Sequence, residues 1–211
     1  DEKSILSLAA DTNNNIIIQN LLNMPKIKAN DINNYSSQTI INGKINSKNI
    51  QQRTALSWAV MNNKLISVQC LLNDKKVNPN LVLLFSNTSL EKKVAFHIAI
   101  ENEFIEILKL LIENVNIDLR KIFVKKESQN YTEEPIVYFA VKNGKIESLK
   151  NLLSNSKIDI NDTSKFIDYE NKCIVKRSAF QFANKLDDYD MINLLAEKNA
   201  EIKYEKIPLI D

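Results

Sequence analysis

The sequence predicts an all-α helical repeat solenoid whose helix pairs are separated by extended hairpin or loop fingers. One pattern of apolar and small residues recurs five times along the 211 residues. Only two glycines and four prolines are present, too few for an all-β chain with many tight turns. Hydrophobic residues make up 44%, enough for a real core. The whole chain, residues 1–211, therefore reads as one repeat domain.

The first copy starts at Ser4, SILSLAADTNNNIIIQNLLN, with Ile5, Leu8 and Ala9 on one short helix and Ile18, Leu21 and Leu22 on a second. The second, TALSWAVMNNKLISVQCLLN, starts at Thr54; the third, VAFHIAIENEFIEILKLLIE, at Val94. The fourth, PIVYFAVKNGKIESLKNLLS, starts at Pro135, and the fifth, SAFQFANKLDDYDMINLLAE, at Ser178. They align without gaps. The sixth position is Ala9, Ala59, Ala99, Ala140 and Ala183, and the eighteenth is Leu21, Leu71, Leu111, Leu152 and Leu195. A small side chain in the first helix lets a neighbouring helix approach closely. The leucine lies on the inward stripe of the second helix, and its burial is worth about 1.5 to 3 kcal/mol. A lone pair of helices this short is marginal, so each copy needs its neighbours.

Between the helices the chain turns at Asn13, Asn63, Glu103, Gly144 and Asp187. Asn and Gly suit the left-handed backbone that helix ends often require; Glu103 and Asp187 suit it less. Ser4, Thr54 and Ser178 can cap the first helix, Val94 cannot, and Pro135 contributes only its fixed φ. The last copy carries Asn184 and Ala196 where most others are bulkier and apolar, as a terminal cap would.

The stretches TALSWAVMNN from Thr54, FHIA from Phe96 and AVKNGKIE from Ala140, with the paired leucines that follow, resemble ankyrin repeats over essentially the whole chain. That resemblance implies antiparallel helix pairs, outward hairpins, a concave binding face and no catalytic activity. The copies start about 40 to 50 residues apart, against about 33 in the family, so every finger is lengthened. Within the fingers, IINGKI from Ile40 to Ile45 carries a hairpin turn signal at Asn42 and Gly43. LRKIFVKKESQNY from Leu119 to Tyr131 alternates as one arm of a hairpin does. Lengthened fingers read either as a partner-binding elaboration or as surface loops inflated by a coding bias toward Asn, Ile and Lys.

The resemblance also implies contact positions. Just before each first helix lie Lys3, Arg53, Lys93, Glu134 and Arg177. Just after each alanine pair lie Met61 and Asn62, Glu101 and Asn102, Lys142 and Asn143, and Lys185. Asn62, Asn102 and Asn143 read equally as an amide ladder on the concave face or as helix-ending residues. Trp58, Phe139 and Phe182 read as packing between repeats. Lys121, Phe123 and Lys125 mark the third finger as a further contact surface.

The expected function is a non-catalytic scaffold or adaptor for a protein partner. An alternative is nucleic-acid or acidic-ligand binding by a basic finger ridge of Arg120, Lys121, Lys125, Lys126, Lys172, Lys176 and Arg177. Acidic residues thread the same segments, and a net charge of +2 gives no long-range pull toward nucleic acid. No phosphate-loop, dinucleotide or zinc-protease motif occurs, and no cofactor or metal is expected. His97, the only histidine, reads as structural, and Cys70 as a small core residue. Two widely spaced cysteines suit a reducing, intracellular setting, and the cytoplasm is the expected location. No apolar run reaches the ~20 residues of a membrane span. An apolar edge on the first copy suits a monomer or weak dimer, and a start at Asp1 suits a segment of a longer chain.

Overall fold

The computed structural model describes residues 3–41, 44–86, 91–120, 123–127, 130–168 and 170–209. Each repeat is a pair of helices: α1 (Ile5–Asp11) and α2 (Asn15–Asn23), α3 (Ala55–Met61) and α4 (Leu65–Leu72), α5 (Ala95–Glu101) and α6 (Ile105–Glu113). The last two pairs are α7 (Ile136–Lys142) with α8 (Ile146–Leu153), and α9 (Ala179–Leu186) with α10 (Tyr189–Glu197). Odd-numbered helices pack on odd-numbered neighbours and even on even, so two helical layers run the length of the stack.

The helix ends follow from local chemistry. Ser4, Thr54 and Ser178 accept the N3 amide of their helices, and Thr54 and Ser57 exchange two such bonds. Val94 offers no acceptor, and His97 instead takes the Val94 N–H on its Nδ1 at 3.2 Å. All five break residues have positive φ: Asn13, Asn63, Glu103 and Asp187 at 52° to 55°, and Gly144 at 67°. In four repeats the repeated alanine is the acceptor that closes this turn. The amides of Lys64, Phe104, Lys145 and Asp188 bond the carbonyls of Ala59, Ala99, Ala140 and Ala183 at 2.8 to 3.2 Å. The alanine column thus serves the helix end as well as the close approach, and all five alanines and all five leucines are buried. At Glu103 the left-handed backbone strains a side-chain-bearing residue. Glu103→Gly is expected to stabilise by about 1 kcal/mol, read as a raised denaturant midpoint, with a smaller gain for Asn63→Gly because Asn tolerates this region.

The fingers are antiparallel hairpins: β1 (Asn33–Ile41) with β2 (Lys44–Arg53), β3 (Leu83–Ser86) with β4 (Glu91–Lys93), β5 (Phe123–Glu127) with β6 (Asn130–Glu134), and β7 (Thr163–Asp168) with β8 (Cys173–Ser178). A further strand, β9 (Tyr204–Pro208), follows the last helix. Asn42 and Gly43 lie outside the described residues, but Ile41 pairs with Lys44 on either side of them. The hairpins also pair with each other, so β3 to β9 form one seven-stranded antiparallel sheet in chain order. Between β2 and β3 a side chain takes the place of a ladder bond, Gln52 Oε1 accepting the Leu84 amide at 3.1 Å. The all-α expectation is met by the stack, while the fingers add a sheet that pattern reading left as separate arms.

An asparagine ladder exists, though on the outer loops. Asn30 Oδ1 accepts the Asn78 amide, Asn80 Oδ1 the Asp118 amide and Asn161 Oδ1 the Glu201 amide, at 2.6 to 2.8 Å. Each bond ties one repeat to the next.

Candidate functional site

The residue just before the cap of each inner helix lies, from the second repeat on, at the end of a hairpin strand. It meets the residue eight positions later. Lys3 Nζ lies 4.0 Å from Asp11, Arg53 Nη2 lies 3.5 Å from Met61 Sδ, and Lys93 Nζ lies 2.5 Å from Glu101 and 2.7 Å from Glu91. In the fourth repeat the signs are exchanged, and Glu134 pairs with Lys142. Arg53, Lys93 and Glu134, expected as contact residues, are buried inside the chain. The Arg53 guanidinium stacks 4.0 Å over Phe85, and burial lowers its pKa to about 10. These three therefore position their partners Met61, Glu101 and Lys142, which carry more exposed surface. Asn62, Asn102 and Asn143 each spend the side-chain amide on the carbonyl four residues back, at 3.0, 2.8 and 2.7 Å, and so cap their own helices. Phe123 is buried against Phe139 and His97, at centroid distances of 4.9 and 6.0 Å, and is core rather than surface. Lys121 and the side chain of Lys125 lie outside the described residues.

A hollow of about 800 Å³ lies in the last two repeats, between the sheet and the inner helices. Strand alternation builds its floor, because every second residue faces the helices. Thr132, Phe166, Val175 and Lys206 follow one another across four strands in register, and Ser164, Arg177 and Tyr204 form the next row. Asp168 and Cys173 pair in a third. The opposite wall comes from α7 and α9, through Tyr138, Lys142, Phe182 and Lys185. Arg177 lies 5.8 Å over the Phe182 ring and 5.6 Å over the Tyr204 ring. Burial raises the Tyr138 pKa, against the Ser164 hydroxyl and the Arg177 charge, which lower it. Lys142, Arg177 and Lys185 are the expected contact residues that the fold brings together here. The residues it adds, Thr132, Ser164, Val175, Tyr204 and Lys206, come from the sheet. Their alternating parity in TSKFID and CIVKRS is legible in sequence, but the pairing of one finger with the next is not.

The outer face of the same strands carries the other parity. Glu133, Lys165, Lys176 and Glu205 stand in one cross-strand row, with Lys165 3.5 Å from Glu133 and Lys176 3.2 Å from Glu205. Of the basic residues that looked like one ridge, Arg177 thus lines the groove, while Lys176 stands on the outer face and pairs with Glu205.

A family model described as ankyrin repeats matches residues 6–122 and 78–164, well over half of the chain. The chain belongs to the ankyrin repeat family. Among solved structures, the ankyrin chain is similar to the crystal structure of EF0377, an ankyrin repeat protein, at 18% identity with a TM-score of 0.59. That similarity covers 97% of this chain and 87% of the other, and at this identity it speaks to the fold. No curated protein matches. In this ankyrin stack His97 is structural: fully buried, with its pKa lowered to about 3 by desolvation and then by the Lys93 charge. Cys70 is buried, and burial pushes its thiol pKa up. Among the described residues no group of three or more His, Cys, Asp or Glu could hold a metal ion, and no helix is long and apolar enough to cross a membrane.

Proposed function

We propose that this ankyrin repeat chain is a non-catalytic scaffold or adaptor that holds a protein partner along the face between its inner helices and its sheet. The observation that supports this reading most is the hollow of the last two repeats, lined by the sheet on one wall and by α7 and α9 on the other. Glu101, Lys142, Arg177 and Lys185 offer charged contacts along that face, and Phe166, Phe182 and Tyr204 offer apolar ones. Aromatics and arginine flanking one groove are the usual anchors of a protein interface. The neutral outer row of Glu133, Lys165, Lys176 and Glu205 gives little support to a nucleic-acid ridge, since phosphate binding draws on several uncompensated cations. Two free cysteines fit an intracellular setting.

A photo-crosslinking residue placed at Phe166, in the groove, is expected to capture a partner from the source cell. The same residue at Lys150, on the outer helix layer, should not. Capture from Lys150 alone would move the binding face to the other side. The first repeat also exposes Ile5, Leu8, Ile16 and Ile17, an apolar patch suited to weak self-association through that end.

A further inference from the structure

We infer that the groove of the fourth and fifth repeats takes an extended acidic peptide segment, with a carboxylate between Arg177 and Lys185 and a neighbouring apolar side chain on Phe166 and Phe182. This rests on the groove being the binding face and names the chemistry of what enters it.

The inference comes from a break in a repeated pairing. The residue before the inner helix and the residue eight later carry opposite charges in the first, third and fourth repeats, and each of those couples closes on itself. In the fifth repeat both positions are cationic, Arg177 and Lys185. Among the described residues neither has a carboxylate within ion-pair distance, and the half-buried Arg177 keeps an Nε–H with no hydrogen-bond partner. The two acids of the groove are engaged elsewhere. Glu134 pairs with Lys142, and Asp168 accepts the backbone and side-chain N–H groups of Asn171 at 3.0 and 2.7 Å. Arg177 meets the Tyr138 hydroxyl, a neutral partner, so a carboxylate that completes the fifth couple comes from outside the repeat. A guanidinium backed by two aromatic rings is held ready to take a carboxylate. The hollow is long enough in one direction, across four strands, for an extended chain, and its aromatic floor gives an apolar side chain a seat. A nucleic-acid strand is the weaker match, because it carries a phosphate at every step past Asp168, whereas a peptide can place a neutral residue there.

Lys185→Glu tests this, because Lys185 is exposed and its replacement recreates within the fifth repeat the couple that Lys93 and Glu101 make in the third. The probes are a fluorescein-labelled peptide of Asp and Glu around a central Phe, its Lys counterpart, and a uridine-rich single-stranded RNA, all read by anisotropy. The acidic peptide is expected to bind, to weaken as salt rises, and to lose about tenfold or more in affinity with Lys185→Glu, which should melt no lower than the parent. Lys150→Glu should leave binding unchanged. An acidic peptide that binds Lys185→Glu as it binds the parent, that fails to bind the parent, or that binds more weakly than the Lys peptide or the RNA overturns the inference. Capture of a partner from Phe166 that Lys185→Glu does not alter would overturn the acidic specificity while leaving the groove as the binding face.

Discussion

Replacing Leu111 with alanine is expected to destabilise the chain by about 2 to 5 kcal/mol. Leu111 belongs to the repeated leucine column, on the second helix of the middle repeat, and is fully buried in the core cluster. Removing its side chain loses the transfer energy of the buried methyl groups and leaves a void, which helices on both sides fill only partly. Its position in the stack adds a second consequence. Repeats stabilise one another through nearest-neighbour contacts, so a weakened third repeat loosens the coupling of the two before it to the two after it. Chemical denaturation should show an earlier midpoint and a broader transition. Leu110→Ala, one residue along on a half-buried position, should cost markedly less. Equal losses at the two positions would mean that the leucine column is not the seam of the stack.

Acidification is expected to remove about 2 kcal/mol of stability between pH 7 and pH 5 through His97 alone. In the unfolded chain this imidazole titrates near its ordinary value of about 6.5. In the folded chain, burial among Phe96, Phe123 and Phe139, and then the Lys93 ammonium, hold it at about 3. Between those values the unfolded state takes up a proton that the folded state excludes. The contribution is therefore complete above about pH 6.5 and is lost at about 1.4 kcal/mol per pH unit on the way down toward 3. Carboxylates add their own losses at lower pH, so the comparison is with His97→Gln, which keeps an acceptor for the Val94 amide and has nothing to titrate. That variant should be less stable at pH 7 and should decline less steeply to pH 5. Parallel declines would show that His97 takes up its proton in the folded state.

The sequence by itself determined the repeat, because each copy solves the same local problem with the same residues. A short helix needs a start, an apolar or small inward face and a stop, and Thr54, Ala59 and Asn63 supply those in order along the chain, with Leu71 on the inward face of the second helix. Even the left-handed turn at Glu103, a poor residue for it, was legible from its place in the column. The concave positions Lys142, Arg177 and Lys185 could be named for the same reason, since a repeat fixes which residues stand at the helix ends.

Tertiary structure alone decided what those residues do. Arg53, Lys93 and Glu134 looked like exposed contacts, yet each is buried, Arg53 against Phe85 of the next finger, Lys93 beside Phe85 and Phe123, and Glu134 against Lys142. Asn62, Asn102 and Asn143 read equally as a ladder or as helix-ending residues, and a carbonyl four residues back takes each amide. The sheet that floors the groove depends on register between strands of different fingers, such as Thr132 against Phe166 and Arg177 against Tyr204. Alternation within one strand says which residues share a face; it does not say which other strand will lie beside it. That is why the charge couple missing from the fifth repeat could be spelled out in sequence and understood only beside the three closed couples of the first, third and fourth repeats.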